Sequence, residues 1–391
     1  MRSAFLLLLL PFMLFGQAEF FGYFESEADL MKVGGSDYSF GYNKFRLDVE
    51  ARPNENVLIG ANINIQRYWG QTTWNMLDFL PENIWKPIFQ NEETPPEFWV
   101  DNFPYTIPDT TLLDNIYMRV SFPLVDLTLG RQQISPGVGY AWNPTDIFNV
   151  KTLMDPSYEQ SGVQAIRAEL PLAPRLTIST IIQPNEDRDK DTKQAFLKTG
   201  FGSFDVELTI AEYYWGRSYF TGIDIWTTET RRNLFGGSIV GELFGWGVWL
   251  EGAHNQLKDD ENFAEFILGV DHTFDNSIYL LAEFLHNENG IPEKADLVFD
   301  TFLQGLGGET HSLMQDYCFF YLMHQTFDYV SLSGIAVANL NDQSGTVGPQ
   351  VDWNVYEDTN LSIQSSFSWG GDDTEFGLQD WGLRLRLLSN F

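Results

Sequence analysis

The chain has 391 residues, with 54 acidic against 23 basic side chains and 15% aromatic residues. A net charge of −31 excludes nucleic acid and anionic lipid as surfaces to which it clings, while the aromatic content and regular alternation oppose disorder. The single cysteine, Cys318, excludes an internal disulfide framework and a multi-cysteine metal site, and no cofactor is expected.

Residues 1–18 carry one positive charge, Arg2, then an apolar run from Ala4 to Phe15 and the small residues of Gly16-Gln17-Ala18. This predicts a secretory signal removed before Glu19, leaving residues 19–391 as one exported domain. Loss of Arg2 takes the mature chain to 22 basic against 54 acidic residues. No later window of about 20 apolar residues predicts a transmembrane helix. A slightly negative mean hydropathy suits a membrane protein only when alternate residues of a strand face water.

The clearest hairpin follows. Phe45, Leu47, Val49 and Ala51 alternate with Arg46, Asp48 and Glu50, the segment Pro53–Asn56 turns, and Val57, Ile59, Ala61, Ile63 and Ile65 continue against Asn62, Asn64 and Gln66. One face suits lipid and the other water. Such hairpins recur to the C-terminus. Short turns are expected at 53–56, 123–126, 173–175, 202–203, 245–247, 275–277, 328–329 and 357–360, many flanked by Phe. Longer polar connections are expected at 69–110, 135–160, 184–191, 216–231, 258–262, 287–315, 341–345 and 370–376. The phenylalanines beside the short turns read as an interfacial girdle. An amphipathic stretch is expected from Asn75 to Phe89.

Between the expected fifth and sixth strands stands Leu129-Gly130-Arg131-Gln132-Gln133-Ile134-Ser135-Pro136-Gly137-Val138-Gly139-Tyr140-Ala141-Trp142-Asn143-Pro144-Thr145-Asp146-Ile147-Phe148-Asn149. Its glycines and Pro144 build a compact loop, and Asn143 and Asp146 suit bonds to nearby backbone. Arg131 suits a bidentate pair with Asp146 or with an interior carboxylate. The segment resembles the Gly-Arg-Gln strand end and Trp-Asn-Pro-x-Asp loop of some porin-like outer-membrane families. Bulk porins fold the loop after their fifth strand into the lumen, so the resemblance implies a constriction built from Arg131, Tyr140, Trp142 and Asp146. A structural loop without ligand contact is the alternative.

The last segment alternates Trp381, Leu383, Leu385 and Leu387 with Arg384 and Arg386 and ends on Phe391. This is similar to the C-terminal strand of bacterial outer-membrane barrels, which implies reading by the barrel-assembly machinery. The fold class is therefore all-β: a transmembrane antiparallel up-and-down β-barrel of about 18 strands, or alternatively 16, with both termini periplasmic.

Inward-facing candidates are Arg46, Asp48, Glu50, Arg119, Arg167, Asp205, Glu207, Glu251, Asp271, Glu283, Arg384 and Arg386. They are read as pore lining, although a solvated wall of locally paired charges gives the same pattern. A barrel of this width conducts unless a loop closes it. The expected function is a porin-like channel for small hydrophilic solutes or ions, with a weak cation preference from the acidic balance. Its partners are outer-membrane lipid and the solutes, and the oligomeric state is left open. The rivals are a plugged barrel acting through its loops as receptor or adhesin, and a rim hydrolase using a histidine such as His286 or His311. No HExxH, zinc spacing or Gly-x-Ser-x-Gly elbow supports an enzyme.

Overall fold

The computed structural model describes residues 18–85, 104–220, 225–258 and 260–391. The expected signal peptide lies outside these residues except for Ala18, and so do the expected loop's segment 86–103 and the end of the amphipathic stretch.

Eighteen strands form one closed antiparallel sheet. In chain order they are β1 (Ala18–Val33), β2 (Ser36–Asn54), β3 (Val57–Gly70), β4 (Thr110–Ser121), β5 (Asp126–Gln132) and β6 (Val163–Ala173). There follow β7 (Leu176–Gln183), β8 (Thr192–Phe201), β9 (Phe204–Phe220), β10 (Ile225–Leu243), β11 (Trp246–Leu257) and β12 (Phe263–Thr273). The last six are β13 (Ile278–Asn287), β14 (Asp316–Phe327), β15 (Val330–Asn339), β16 (Ser344–Tyr356), β17 (Thr359–Trp369) and β18 (Gln379–Asn390). Each pairs with its chain neighbour, and β18 pairs with β1, so no edge is left open.

Closure reaches the final residue. Gly22 N–H donates to the Phe391 carbonyl at 3.1 Å, Phe391 N–H returns the bond to Gly22 O at 3.0 Å, and the Phe391 ring stacks on Phe45. Alternation then decides which way each side chain faces. On β9, Leu208 and Ile210 are exposed on the outer surface, whereas Thr209, Ala211 and Tyr213 are buried inside. A polar, packed interior behind an apolar outer face is what a strand crossing lipid requires.

The eight short turns expected from the sequence all connect strands on one rim. Phe122, Phe201, Phe244 and Phe327 stand exposed beside them. On the opposite rim the structure adds one tight turn, Gly34–Gly35, where both residues have positive φ (58° and 81°), the geometry of a type I′ hairpin. One expected loop is corrected. Most of residues 216–231 is not a loop but the far end of the β9–β10 hairpin, paired in register from Gly216↔Glu229 to Phe220↔Ile225. Both faces of this extension are polar or mixed because it projects past the apolar band. The expected amphipathic stretch gives only the 3₁₀ turn Met76–Phe79 and the helical turn Glu82–Trp85 among the described residues.

Candidate functional site: a loop across the lumen

The 30-residue connection between β5 and β6 leaves the wall and crosses the barrel. Its base is organised by Asp146, which accepts from Phe148 N–H (2.9 Å), Asn149 N–H (3.1 Å) and the Asn149 side chain. Asn149 also donates to the Ile134 carbonyl at 2.6 Å. Lys151 ties the returning limb to the outgoing one by donating to the carbonyls of Gly139 (2.7 Å) and Tyr140 (3.0 Å). Burial raises the Asp146 carboxyl above its ordinary pKa and lowers the Lys151 ammonium.

The outgoing limb ends against β11–β14, where two buried carboxylates receive its backbone. Glu283 accepts from the N–H groups of Tyr140 (2.7 Å), Ala141 (2.9 Å) and Trp142 (3.0 Å), and from the Trp249 indole (2.7 Å). Glu251 accepts from Val138 N–H (2.6 Å) and from the Thr145 N–H and hydroxyl (2.8 Å each). Both side chains are shut off from solvent, so these donors replace the water the charges would otherwise need. Around them Trp142 packs with Leu281, Leu285, Tyr317 and Phe319 in one apolar cluster. Gly137 adopts a φ of 97°, a left-handed conformation that lets the loop turn its N–H groups onto the carboxylates.

The returning limb meets β1, β2 and β18 in a polar setting. Tyr158 hydroxyl donates to Glu25 (3.0 Å) and accepts from Lys44 (3.1 Å). Glu159 accepts from Tyr23 (2.6 Å) and pairs with Lys44 (3.0 Å) and Arg46 (2.8 Å). Burial alone would raise Glu159, but the Tyr23 hydrogen bond and the charges of Lys44 and Arg46 outweigh it and hold its pKa below the usual carboxylate value. Asp155 pairs with Arg386 at 2.7 Å. Between this limb and the wall lies a cavity of about 380 Å³ lined by Asn64, Gln66, Tyr68, Tyr158, Glu27 and Arg386 among others. A second cavity, of about 490 Å³, separates Gly137 and Val138 from the short-turn side at Pro174, Arg175 and Asp205.

Three further connections on the long-loop rim fold inward. Leu77, Leu80, Ile84 and Trp85 from the β3–β4 connection, and Leu297 and Phe302 from the β13–β14 connection, join the cluster that holds Trp142. Glu309 accepts from Ser218 N–H and hydroxyl (2.7 and 2.6 Å), and His311 Nδ1 lies 2.7 Å from Glu265. Glu375, from the β17–β18 connection, accepts from Tyr317 (2.6 Å) and Asn339 (2.7 Å).

All twelve residues read as lining stand at inward positions, most of them already partnered. Arg46 bonds Asp48 (2.7 Å), Arg167 bonds Glu169 (2.7 Å), and Glu50 lies 3.4 Å from Arg52. Asp205 lies 2.6 Å from Arg175, Glu207 lies 2.7 Å from Lys198, and Asp271 accepts from Tyr279 at 2.8 Å. Arg119 reaches Thr128 at 3.3 Å, Arg384 pairs with Asp29 and Glu27, and Arg386 with Glu27 and Asp155. Glu251 and Glu283 serve the loop rather than open water.

Of the four expected constriction residues, Tyr140, Trp142 and Asp146 lie on the crossing loop, and Trp142 is buried beneath it. Arg131 is a correction. It pairs across the sheet with Ile116, a residue exposed on the outer face, and donates to the Asp114 carbonyl at 2.7 Å, with its guanidinium 3.9 Å from the buried Asp114 carboxylate, so of the two expected partners it meets an interior carboxylate and not Asp146. The strand's period of two turns it away from the lumen.

Sequence reasoning missed Glu25, Glu27 and Asp29, although carboxylates at every second residue of a first strand were a legible signal. It also missed Lys44, Asp155, Tyr158 and Glu159, whose partners are assigned only by the loop's path.

No family model matches the chain, and no curated protein matches it. Among solved structures it is similar to OccAB1 of Acinetobacter baumannii, at 10% identity and a TM-score of 0.60, with 96% of each chain covered. It is likewise similar to OccK7 (OpdD) of Pseudomonas aeruginosa, at 8% identity and TM-score 0.56, covering 96% of this chain and 99% of that one. The outer membrane protein OprD of Pseudomonas aeruginosa matches at 9% identity and TM-score 0.55, covering 96% and 94%. The likeness is one of fold: that of a porin-like outer-membrane β-barrel.

Proposed function

We propose that the protein is a diffusion channel of the outer membrane for small hydrophilic solutes or ions, with a weak cation preference. The observation that carries this reading is the crossing loop, held at one side by Glu251 and Glu283 and bordered at the other by a cavity of about 380 Å³ lined by polar and charged side chains. Tyr140, Trp142 and Asp146 shape the constriction from within the loop rather than by facing solvent together. The acidic balance raises the local concentration of cations along the path. Residues 1–18 act as the export signal, Phe391 presents the last strand to the assembly machinery, and the short-turn rim with both termini faces the periplasm.

Single-channel recording of the refolded protein in a planar bilayer under a salt gradient tests this. Stable open steps with a reversal potential of cation-selective sign are expected. A correctly folded, heat-modifiable barrel that stays silent would overturn the channel and leave the apolar packing around Trp142 as the plug of a receptor.

A further inference from the structure

Resting on the channel reading, we infer that a cavity on the long-loop side of the crossing loop is an entry site that binds neutral, hydroxyl-rich solutes of monosaccharide size. It is bounded by the base of the loop at residues 146–150, by the wall strands β9, β10 and β12, and by residues 307–311 of the β13–β14 connection. The Thr145 carbonyl meets Gln194, which also bonds Thr209, so Tyr213 and Trp215, further along β9, stand beyond the loop toward the long-loop rim. The volume, about 360 Å³, falls within the range of about 300–1,000 Å³ usual for ligand pockets.

Among the described residues, the Tyr213 hydroxyl, one Nη of Arg232 and the Asn289 side-chain amide line this cavity without a hydrogen-bond partner, and none of them is sealed from solvent. Tyr213 and Arg232 are otherwise nine-tenths or more buried. Arg232 is held in place by its remaining nitrogens, Nε donating to Asn255 (2.9 Å) and the other Nη to Glu265 (3.1 Å). The carboxylates, by contrast, are met within the protein. Asp146 takes the Phe148 and Asn149 N–H groups, Glu265 takes Arg232, Asn255 and His311, and Glu309 takes both donors of Ser218. Three carboxylates against Arg232 and His311 disfavour an anion, and the guanidinium at the centre of the wall disfavours a cation. A phenol, an amide and one limb of a guanidinium offer donors and acceptors together, which is what hydroxyl groups need.

The apolar part of the lining suits the carbon face of such a solute. Arg232 lies over the rings of Tyr213, Trp215 and Phe263 at 5.3, 4.8 and 4.8 Å, which fixes them as one wall. Ile147, Phe148 and Val150 complete the apolar surface from the loop. Apolar surface with a few fixed polar groups is the make-up of a small-molecule site. A sugar presents the matching pair, a C–H face and a rim of hydroxyls.

The experiment uses the full refolded barrel in planar bilayers with three probes built on one carbon skeleton: glucose, gluconate and glucosamine. Glucose is expected to interrupt the single-channel current at a concentration about fivefold lower than either charged probe, with a potency that rising salt leaves unchanged. Tyr213→Phe removes only the hydroxyl and should weaken interruption by glucose several-fold. Asn289→Ala, in a connection rather than in the wall, serves as a second variant with the same expected direction, and heat-modifiability checks that each variant folds. Equal or stronger interruption by gluconate or glucosamine, or full glucose potency in both variants, would overturn the inference while leaving the channel intact. If no open steps occur, the channel reading fails, and saturation-transfer NMR on the detergent-solubilised barrel with the same probes still decides the site: a stronger signal from glucose that Tyr213→Phe weakens supports it, and equal signals refute it.

Discussion

The two ends of the crossing loop are built from opposite chemistry. Residues 137–145 reach β11–β14, where Trp142 sinks among Leu281, Leu285 and Phe319 and two buried carboxylates collect backbone N–H groups. Residues 152–161 reach β1, β2 and β18, where tyrosines, lysine, arginines and acids surround a cavity. A closely packed contact in which two buried carboxylates collect the loop's N–H groups fixes position, because moving it would orphan those donors and carboxylates together. A contact between charged and polar side chains with a cavity of about 380 Å³ beside it leaves space for a solute. On the proposed channel reading, the far half of the lumen anchors the loop and the near half is the path for solutes.

Breaking the anchor should have the largest effect. Glu283→Ala orphans three backbone N–H groups at about 1–3 kcal/mol each. The expected outcome is protease cleavage within residues 137–145 of the folded barrel and a larger, noisier conductance. An unchanged step size with a protected loop would show that the carboxylate is dispensable. Trp142→Ala removes the apolar half of the same anchor at about 3–5 kcal/mol. It should loosen the loop without unfolding the wall, read as new protease sensitivity at an unchanged heat-modifiability transition.

The rim connections sharpen the contrast through pH. Burial raises the Glu375 carboxyl to about 7 when its connection is docked, and Glu265 holds His311 above its ordinary value despite burial. Both docked forms bind protons that the undocked forms release, so docking is strongest below the undocked values and is lost as pH rises through the docked ones. Conductance should accordingly be smaller at pH 5 than at pH 8, and Glu375→Gln should reduce the difference. The smallest effect belongs to the near half. Arg386→Gln removes a cation from a wall whose acids remain, so the reversal potential should shift by a few millivolts toward cations, at nearly constant conductance.

Most of the wall was legible in the sequence, because a period of two and tight turns are local signals. The missed Gly34–Gly35 turn was also local: a glycine pair between alternating strands is a hairpin mark. The stretch 216–231 misled because alternation of apolar and polar residues fails once a hairpin leaves the lipid, although its backbone pairing continues. The site was only partly legible. Parity placed Glu251 and Glu283 inside, but their role depends on a loop more than 100 positions away in sequence. Arg131 was misassigned because its motif suggested a function that the strand's parity denies.

The most direct test of the division is thiol accessibility in a Cys318→Ser background, comparing Gln66→Cys in the near half with Leu281→Cys beneath the anchor. A charged methanethiosulfonate reagent added to an open channel should modify the first within seconds and step the current down, while the second stays unmodified. Equal modification of both would contradict the account, because it would mean that water and solutes reach the half of the lumen assigned to anchoring.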